Sequence, residues 1–173
     1  RLKKLPVCQL CRPDPITPND DSGNHLISTT DPGNTVTTYA YDADGIRRSS
    51  TSSGVTSEYI YDGTRIVAEV QNDNVVRSYT YGTDLIGMSD GSGSAWYQKD
   101  GQGSVTNLSN ADETVTDSYS YNAYGNLLGH AGTTDQSYQY VGALGYYQDD
   151  SGLQLLTHRY MTPMPVDLLR QIR

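Results

Sequence analysis

Two aromatic residues with one residue between them, followed by a turn, return every 18 to 22 residues through most of this 173-residue chain. The marker reads Tyr39-Ala40-Tyr41-Asp42, Tyr59-Ile60-Tyr61-Asp62, Tyr79-Thr80-Tyr81-Gly82, Tyr119-Ser120-Tyr121-Asn122 and Tyr138-Gln139-Tyr140-Val141, with Trp96-Tyr97-Gln98 as a degenerate copy. A unit of roughly 20 residues holds two strands of about 5 to 7 residues and two turns, and leaves no room for a crossover helix. The chain is therefore predicted to be all-β, built of antiparallel hairpins. Within a marker both tyrosines share one face of a strand and the residue between them takes the other. Stacked repeats then line up tyrosine ladders on one face of a curved sheet.

The turns carry matching chemistry. Asp44-Gly45, Asp62-Gly63, Asp90-Gly91 and Tyr124-Gly125-Asn126 supply residues that tolerate positive φ. Stretches 65–70 and 74–79 read as strand, and no segment sustains a 3.6-residue apolar period; only 166–172 suits a short helix.

Fifteen Tyr, no Phe and 35% hydrophobic residues imply a thin, aromatic, hydrogen-bonded interior. The Gly, Ser, Thr, Asn and Asp content resembles that of a disordered chain. Recurrent Tyr, Val, Ile and Thr oppose that reading, because they suit a half-buried pleated surface. A net charge of −8 excludes association with DNA, RNA or anionic lipid as an expected role. No apolar run approaches the ~18 residues of a membrane-spanning helix, and no secretory signal opens the sequence. A start at Arg1 instead of Met reads as a fragment or processed product.

The residues around Tyr39-Ala40-Tyr41-Asp42-Ala43-Asp44-Gly45-Ile46-Arg47 resemble the YD repeat, whose usual core is Tyr-Asp-x-x-Gly-Arg. The run from Tyr97 through Asp100-Gly101-Gln102-Gly103-Ser104, then Tyr119 to Asn126, resembles the opening of the Rhs-repeat-associated core domain. Ser151-Gly152-Leu153 to Arg159-Tyr160 resembles that domain's Thr-Gly-Leu…Arg-Tyr-Tyr-Asp-Pro segment. The resemblance covers about residues 27 to 163 and divides the chain into a Pro-rich irregular tail (1–26), YD repeats (27–95), a core-like region (96–163) and a divergent tail (164–173).

The resemblance implies hairpins joined edge to edge into a spiralling hollow shell, secreted or on the bacterial cell surface, that encloses a C-terminal toxin; related animal teneurin shells serve adhesion. Neighbouring repeats of the same or a longer chain are then the first partners, and the toxin payload a second. Tyr39, Tyr41, Asp42, Gly45, Tyr59, Tyr61, Asp62, Tyr79, Tyr81, Tyr119, Tyr121, Gly125, Tyr138 and Tyr140 become repeat-marker residues. Asp100, Gly103, Ser104, Gly152, Leu153, Arg159 and Tyr160 become core-motif residues, structural and not catalytic. About six units make an arc of wall, not a closed container. Family members carry Asp residues in a closing Asp-Pro segment associated with self-cleavage, where this chain reads Tyr160-Met161-Thr162-Pro163-Met164-Pro165-Val166-Asp167. A hydroxyl at Thr162 cannot exchange the proton an aspartyl mechanism needs, so the chain is expected not to cleave itself.

Other candidates have plainer readings. Asp42 with Asp44, and Asp149 with Asp150, are paired carboxylates, but Asp42-Ala43-Asp44-Gly45 lacks calcium-loop spacing and its position recurs as a turn. His25, His130 and His158 form no ligand pair, with His158 read as a strand residue, and Cys8 and Cys11 have no second zinc pair. The Gly91–Ser94 and Gly101–Ser104 loops precede no helix that would hold a phosphate. Asn107-Leu108-Ser109 matches a glycosylation pattern that matters only in a eukaryotic secretory setting. No catalytic residue, cofactor or metal is expected. Two roles stay open: a wall segment for containing or delivering a toxin, and a surface module that binds a glycan or protein partner through outward-facing Tyr. Unpaired strand edges add a third expectation, self-association.

Overall fold

Period-two alternation, not propensity alone, sets which side of each strand is covered. In β3 (Val36–Tyr41) Thr37 and Tyr39 are buried while Val36, Thr38 and Ala40 are exposed. In β5 (Val55–Asp62) Ser57 and Tyr59 are buried while Glu58 and Ile60 face out. The computed structural model describes residues 16–161 apart from Asn24 and Pro32. Its remaining sheet strands are β1 (Thr17–Asp20), β2 (Leu26–Thr30), β4 (Arg47–Ser52), β6 (Arg65–Gln71), β7 (Asn74–Tyr81) and β8 (Leu85–Asp90). They continue with β9 (Gly93–Lys99), β10 (Val105–Ser109), β11 (Val115–Tyr121) and β12 (Leu127–Ala131). All twelve pair antiparallel in chain order, so every neighbour in the sheet is a neighbour in sequence.

One five-residue loop closes hairpin after hairpin. Asp42 Oδ1 accepts the N–H of Asp44 (3.0 Å) and Ile46 (2.9 Å), and Gly45 takes φ 76°. Asp100 does the same for Gln102 and Ser104, and Asn122 for Tyr124 and Asn126, with Gly103 and Gly125 both at φ 85°. A carboxylate or amide oxygen thus replaces the backbone partners that the turn removes. Asp62 departs from this pattern: it pairs with Arg65 at the end of β5, and only Gly63 and Thr64 turn. At the other ends of the strands, Ser53-Gly54 and Asn72-Asp73 make two-residue turns with all four residues at positive φ, matching the twist of a hairpin.

After Ala131 the chain leaves the sheet. Residues 132–161, here called the strap, contain a 3-10 turn (Gly142–Leu144) and a small antiparallel sheet of β13 (Tyr147–Gln148), β14 (Gln154–Leu156) and β15 (Arg159–Met161). The strap crosses the tyrosine face from β11 back to β3, and the main core forms between them. Tyr59, Ile66, Tyr79, Leu85, Met88, Tyr97, Leu108 and Tyr119 pack there with Tyr138, Tyr147 and Leu155. Leu26, Tyr39 and Leu153 form a smaller cluster beside it.

Several expectations are corrected. The irregular tail expected over 1–26 includes β1, where Pro18 stands opposite Thr29; among the described residues β1 is an edge strand, and a missing N–H is tolerated on an edge. Tyr138-Gln139-Tyr140 is not a strand, because nothing pairs with it as a ladder; it belongs to the strap. The division expected between 95 and 96 falls inside β9, which pairs directly with β8 (Gly87 opposite Trp96), and the architecture changes at Ala131 instead. His158 lies in the turn between β14 and β15, not in a strand, since Thr157 adopts φ 58° and Leu156 pairs with Arg159. Cys8, Cys11, Thr162, Asp167, the segment 166–172 and the tails 1–15 and 162–173 lie outside the described residues.

Candidate functional site: the strapped tyrosine face

The buried tyrosines Tyr39, Tyr59, Tyr79, Tyr97 and Tyr119 are each only 5–7% exposed. Three meet the strap directly: Tyr39 donates to Ser151 Oγ (3.0 Å), Tyr59 meets Tyr147 edge-on (5.6 Å), and Tyr79 meets Tyr138 edge-on (4.8 Å). Tyr119 instead stacks on His130 of β12 at 4.5 Å. The second tyrosine of a marker reaches across the sheet. Tyr41 donates to Leu26 O (2.7 Å) and Tyr81 to Ile66 O (3.0 Å), and their hydroxyls lie 3.3 Å and 3.0 Å from those of Tyr160 and Tyr138. Tyr140 approaches Tyr121 at 5.8 Å and donates to Ala123 O. Desolvation pushes Tyr41, Tyr61 and Tyr119 up to about 12, and Tyr79, Tyr138 and Tyr147 well above the ordinary phenol value. These phenols stay neutral. They serve as donors and packing surfaces, not as bases or nucleophiles.

Three polar anchors hold the strap down. Arg47, fully buried, donates to Asp149 Oδ2 at 2.7 Å, with its guanidinium 4.4 Å from the centre of Tyr59, 5.2 Å from Tyr147, 5.7 Å from Tyr39 and 5.9 Å from Tyr160. Desolvation opposes the charge on Arg47, but the electrostatic attraction of Tyr59, Tyr160, Asp149 and Tyr147 outweighs it, and the guanidinium stays charged. Arg77 bridges Glu69 (3.3 Å) on the sheet and Asp135 (3.0 Å) on the strap, while Tyr79 also donates to Glu69. Asp117 accepts from the Thr134 N–H (2.9 Å) and hydroxyl (2.6 Å) and sits 3.2 Å from His130 Nε2. Desolvation pulls Asp117 upward, but these bonds prevail and hold its carboxyl below the ordinary range. Gly132 starts the strap at φ 118°, where a Cβ would lie 2.1 Å from Asp117 Oδ1. The core-motif residues take part as well. Val141 N–H donates to Ser104 Oγ (3.1 Å), Ala143 N–H to Gly103 O (3.0 Å), and Val105 N–H to Gln139 O (2.9 Å). Gly152, at φ 79°, closes the Asp149–Leu153 loop, Leu153 is buried, Tyr160 meets Tyr41, and Arg159 is exposed.

Beside the strap, over β5 to β8, lies a cleft of about 630 Å³ lined by Glu69, Arg77, Asp90, Asp135, Gln136 and Asp150 among others. Asp42 and Asp44 stay in their turn, and Asp149 closes a turn while pairing with Arg47. The histidines are scattered: His25 pairs with Asp21, His130 with Asp117, and His158 approaches Gly45 O. Among the described residues no group of three or more His, Cys, Asp or Glu is placed to hold a metal ion. None of their helices is long and apolar enough to cross a membrane. Arg47 and Asp149 were not singled out by the sequence as a pair; the only signal was Arg47 one residue beyond the arginine position of the YD core, where Ile46 stands.

The family model of the RHS Repeat matches residues 20–54, from the end of β1 to the turn after β4. The chain belongs to the Rhs, or YD-repeat, family. It is 30% identical over 153 residues to the tRNA3(Ser)-specific nuclease WapA of Bacillus spizizenii, and 29% identical over 153 residues to the tRNA nuclease WapA of Bacillus subtilis. Each alignment covers 83% of this Rhs chain but 6% of the relative, so the chain spans a small part of those proteins' length. Among solved structures, the TcdB2-TccC3 crystal structure superposes with a TM-score of 0.65 at 17% identity, covering 86% of this chain and 9% of that one. The Photorhabdus luminescens Tc holotoxin pore superposes with a TM-score of 0.64 at 16% identity, covering 91% and 9%. The Rhs chain thus shares the all-β shell fold of these toxin components.

Proposed function

We propose that this chain is a segment of the wall of a bacterial Rhs shell, secreted or at the cell surface, that encloses or delivers a toxin and has neither enzymatic activity nor release chemistry of its own. The meander supports this most directly. Its twelve strands follow chain order, and among the described residues β1 and β12 each pair on one side only, so the sheet lengthens by adding hairpins at either edge. The nuclease names of the WapA relatives describe proteins far longer than this chain. Here the cleft sets five carboxylates (Glu69, Asp90, Asp135, Asp149 and Asp150) against Arg77, a surface that repels a polyanion. A sugar-binding role for the ladder has less support, since the buried tyrosines lie under the strap. Electron microscopy of the chain with its native flanking sequence tests the wall reading. A hollow shell containing β1–β12, with a protease-resistant polypeptide inside, is expected; a solid domain, or a downstream polypeptide open to protease, would overturn it.

A further inference from the structure

Six residues hold one repeated position in the sheet. Leu26, Arg47, Ile66, Leu85, Val105 and Leu127 stand opposite the residue that ends the preceding strand's marker or its equivalent: Asp20, Tyr41, Tyr61, Tyr81, Lys99 and Tyr121. The first five are 0–3% exposed, whereas Leu127 is 44% exposed. Each of the five has a further strand on its other side, and among the described residues β12 has none. That further strand fills two places. Its second marker position donates to the carbonyl of the repeated residue: Tyr41 to Leu26 O (2.7 Å), Tyr81 to Ile66 O (3.0 Å) and Lys99 Nζ to Leu85 O (2.6 Å). Its first tyrosine brings a hydroxyl to the residue three positions on: Tyr39 to Thr29 (3.3 Å), Tyr59 to Ser50 (2.7 Å) and Tyr79 to Glu69. Three positions beyond Leu127 stands His130, its side chain 30% exposed, and an imidazole nitrogen can accept a phenol proton as those side chains do.

We propose that the free edge of β12 binds, antiparallel, an extended strand of a second polypeptide carrying Tyr-x-Tyr, whose second tyrosine covers Leu127 and donates to its carbonyl while the first meets His130. Backbone pairing supplies the affinity and the two seats supply the choice of side chains. The edge reads Leu127-Leu128-Gly129-His130-Ala131, with no Lys, Pro or carboxylate to blunt it. This chain does not supply the strand itself: the residues after Ala131 enter the strap, and every Tyr-x-Tyr pair of the sequence already stands in the sheet or the strap. Nor does the opposite edge of a second copy fit. Asp21 Oδ1 accepts the His25 N–H (2.9 Å) as Asp42 accepts that of Ile46, which puts Pro18 and Asp20 where Tyr39 and Tyr41 stand in the next repeat. Pro18 brings no N–H to the ladder, and Asp20 would set a carboxylate against the Leu127 carbonyl. The edge acts this way whether or not the sheet belongs to the wall of a toxin shell.

Fluorescence anisotropy of the 173-residue chain with a labelled Arg-Ser-Tyr-Thr-Tyr-Gly peptide, the spelling of residues 77–82, tests the edge. Replacing both tyrosines by serine, with the arginine kept, is expected to weaken binding about tenfold or more. Leu127→Asp should weaken it about as much. Leu127 is half-exposed, so the thermal midpoint of that variant should not fall, which separates a lost seat from lost folding. Hydrogen exchange with the tyrosine peptide bound should gain protection in 127–131 and not in 17–20. Equal binding of the two peptides, no binding of the tyrosine peptide, unchanged affinity in Leu127→Asp, or protection gained at β1 overturns the proposal. A dimer formed without peptide and dissolved by Leu127→Asp overturns it too, because the occupant is then a second copy of this chain.

Discussion

In β5, Tyr59 and Tyr61 lie two residues apart on a paired strand and share one face of the sheet; in the strap, Tyr138 and Tyr140 have the same spacing and lie across that face instead. Tyr138 is 1% exposed and wedged between Tyr79 (4.8 Å) and Tyr147 (5.4 Å), while Tyr140 reaches back to Tyr121 and Ala123. The residues that follow each marker make the difference. Tyr61 leads into Asp62-Gly63 and Tyr121 into Asn122, which can turn the chain, whereas Tyr140 leads into Val141-Gly142 and a 3-10 turn. A hairpin of this length cannot bury its own tyrosines, so a spelling that builds the ladder in one place covers it in another. The sheet is held by backbone pairing between neighbours, and the strap by a few side chains far apart in sequence and by backbone bonds to Gly103 and Val105.

The largest expected effect comes from the deepest of those side chains. Arg47→Met leaves Asp149, whose side chain is 3% exposed, without its cation, and should cost about 3–5 kcal/mol in urea unfolding. Arg47→Met with Asp149→Asn should recover much of that, because both charges are gone; a double variant as unstable as the single one would mean that the tyrosine cage, not the ion pair, carries the anchor. Tyr138→Ala comes next, at about 3 kcal/mol, the low end for a buried aromatic, since an irregular strap closes over a cavity more readily than a sheet does. Hydrogen exchange sharpens the contrast. Protection should fall in 132–161 and persist in β2 to β5, and an equal loss in both regions would show that sheet and strap unfold as one unit.

The hairpins were legible because their signals are local: a marker at each repeat and a turn residue within four positions, as at Asp42 and Gly45 or Asn122 and Gly125. The strap was not. Its anchors join residues as far apart as Arg47 and Asp149, 102 positions, and no periodicity announces such a contact. Tyr138 looked like another marker because spacing survives where strand pairing does not. Pro18 looked like a breaker because the cost of a missing N–H depends on which edge of the sheet it meets. The acid-lined cleft was invisible for the same reason as the strap, since its walls come from β5, β6, β7, β8 and two passes of the strap.

Glycines test the two regions at smaller scale. Gly54 lies in a tight turn of the sheet at φ 81° with open space where a Cβ would go, so Gly54→Ala meets only the backbone penalty, about 1 kcal/mol. Gly132 begins the strap, and its added Cβ would press on the buried Asp117 carboxylate and lie 2.7 Å from Thr116 O. Gly132→Ala should therefore cost more, about 2–3 kcal/mol, and should loosen the strap first. Thermal unfolding of the two variants side by side checks the order, and equal losses would remove Gly132 as a requirement of the strap's start.

Acid should weaken the strap through Asp117 with the smallest effect of the set. Burial raises this carboxyl, but the bonds from Thr134 and His130 lower it further, so its value in the folded chain lies below the ordinary one of about 4. A group lowered by folding gives stability that is complete above its unfolded value and is lost as pH falls through its folded value. The contact with Thr134 should therefore be constant from neutral pH down to about 5 and fade below about 4, by about 1 kcal/mol or less per hydrogen bond. Hydrogen exchange at residues 132–136 across that range reads it directly, with the β3 to β5 amides as the internal reference. Asp117→Asn should flatten the acid limb at 132–136 and leave the reference unchanged. If the limb persists in that variant, Asp117 does not carry the strap's acid sensitivity, and the grip at Thr134 is carried by geometry instead of charge.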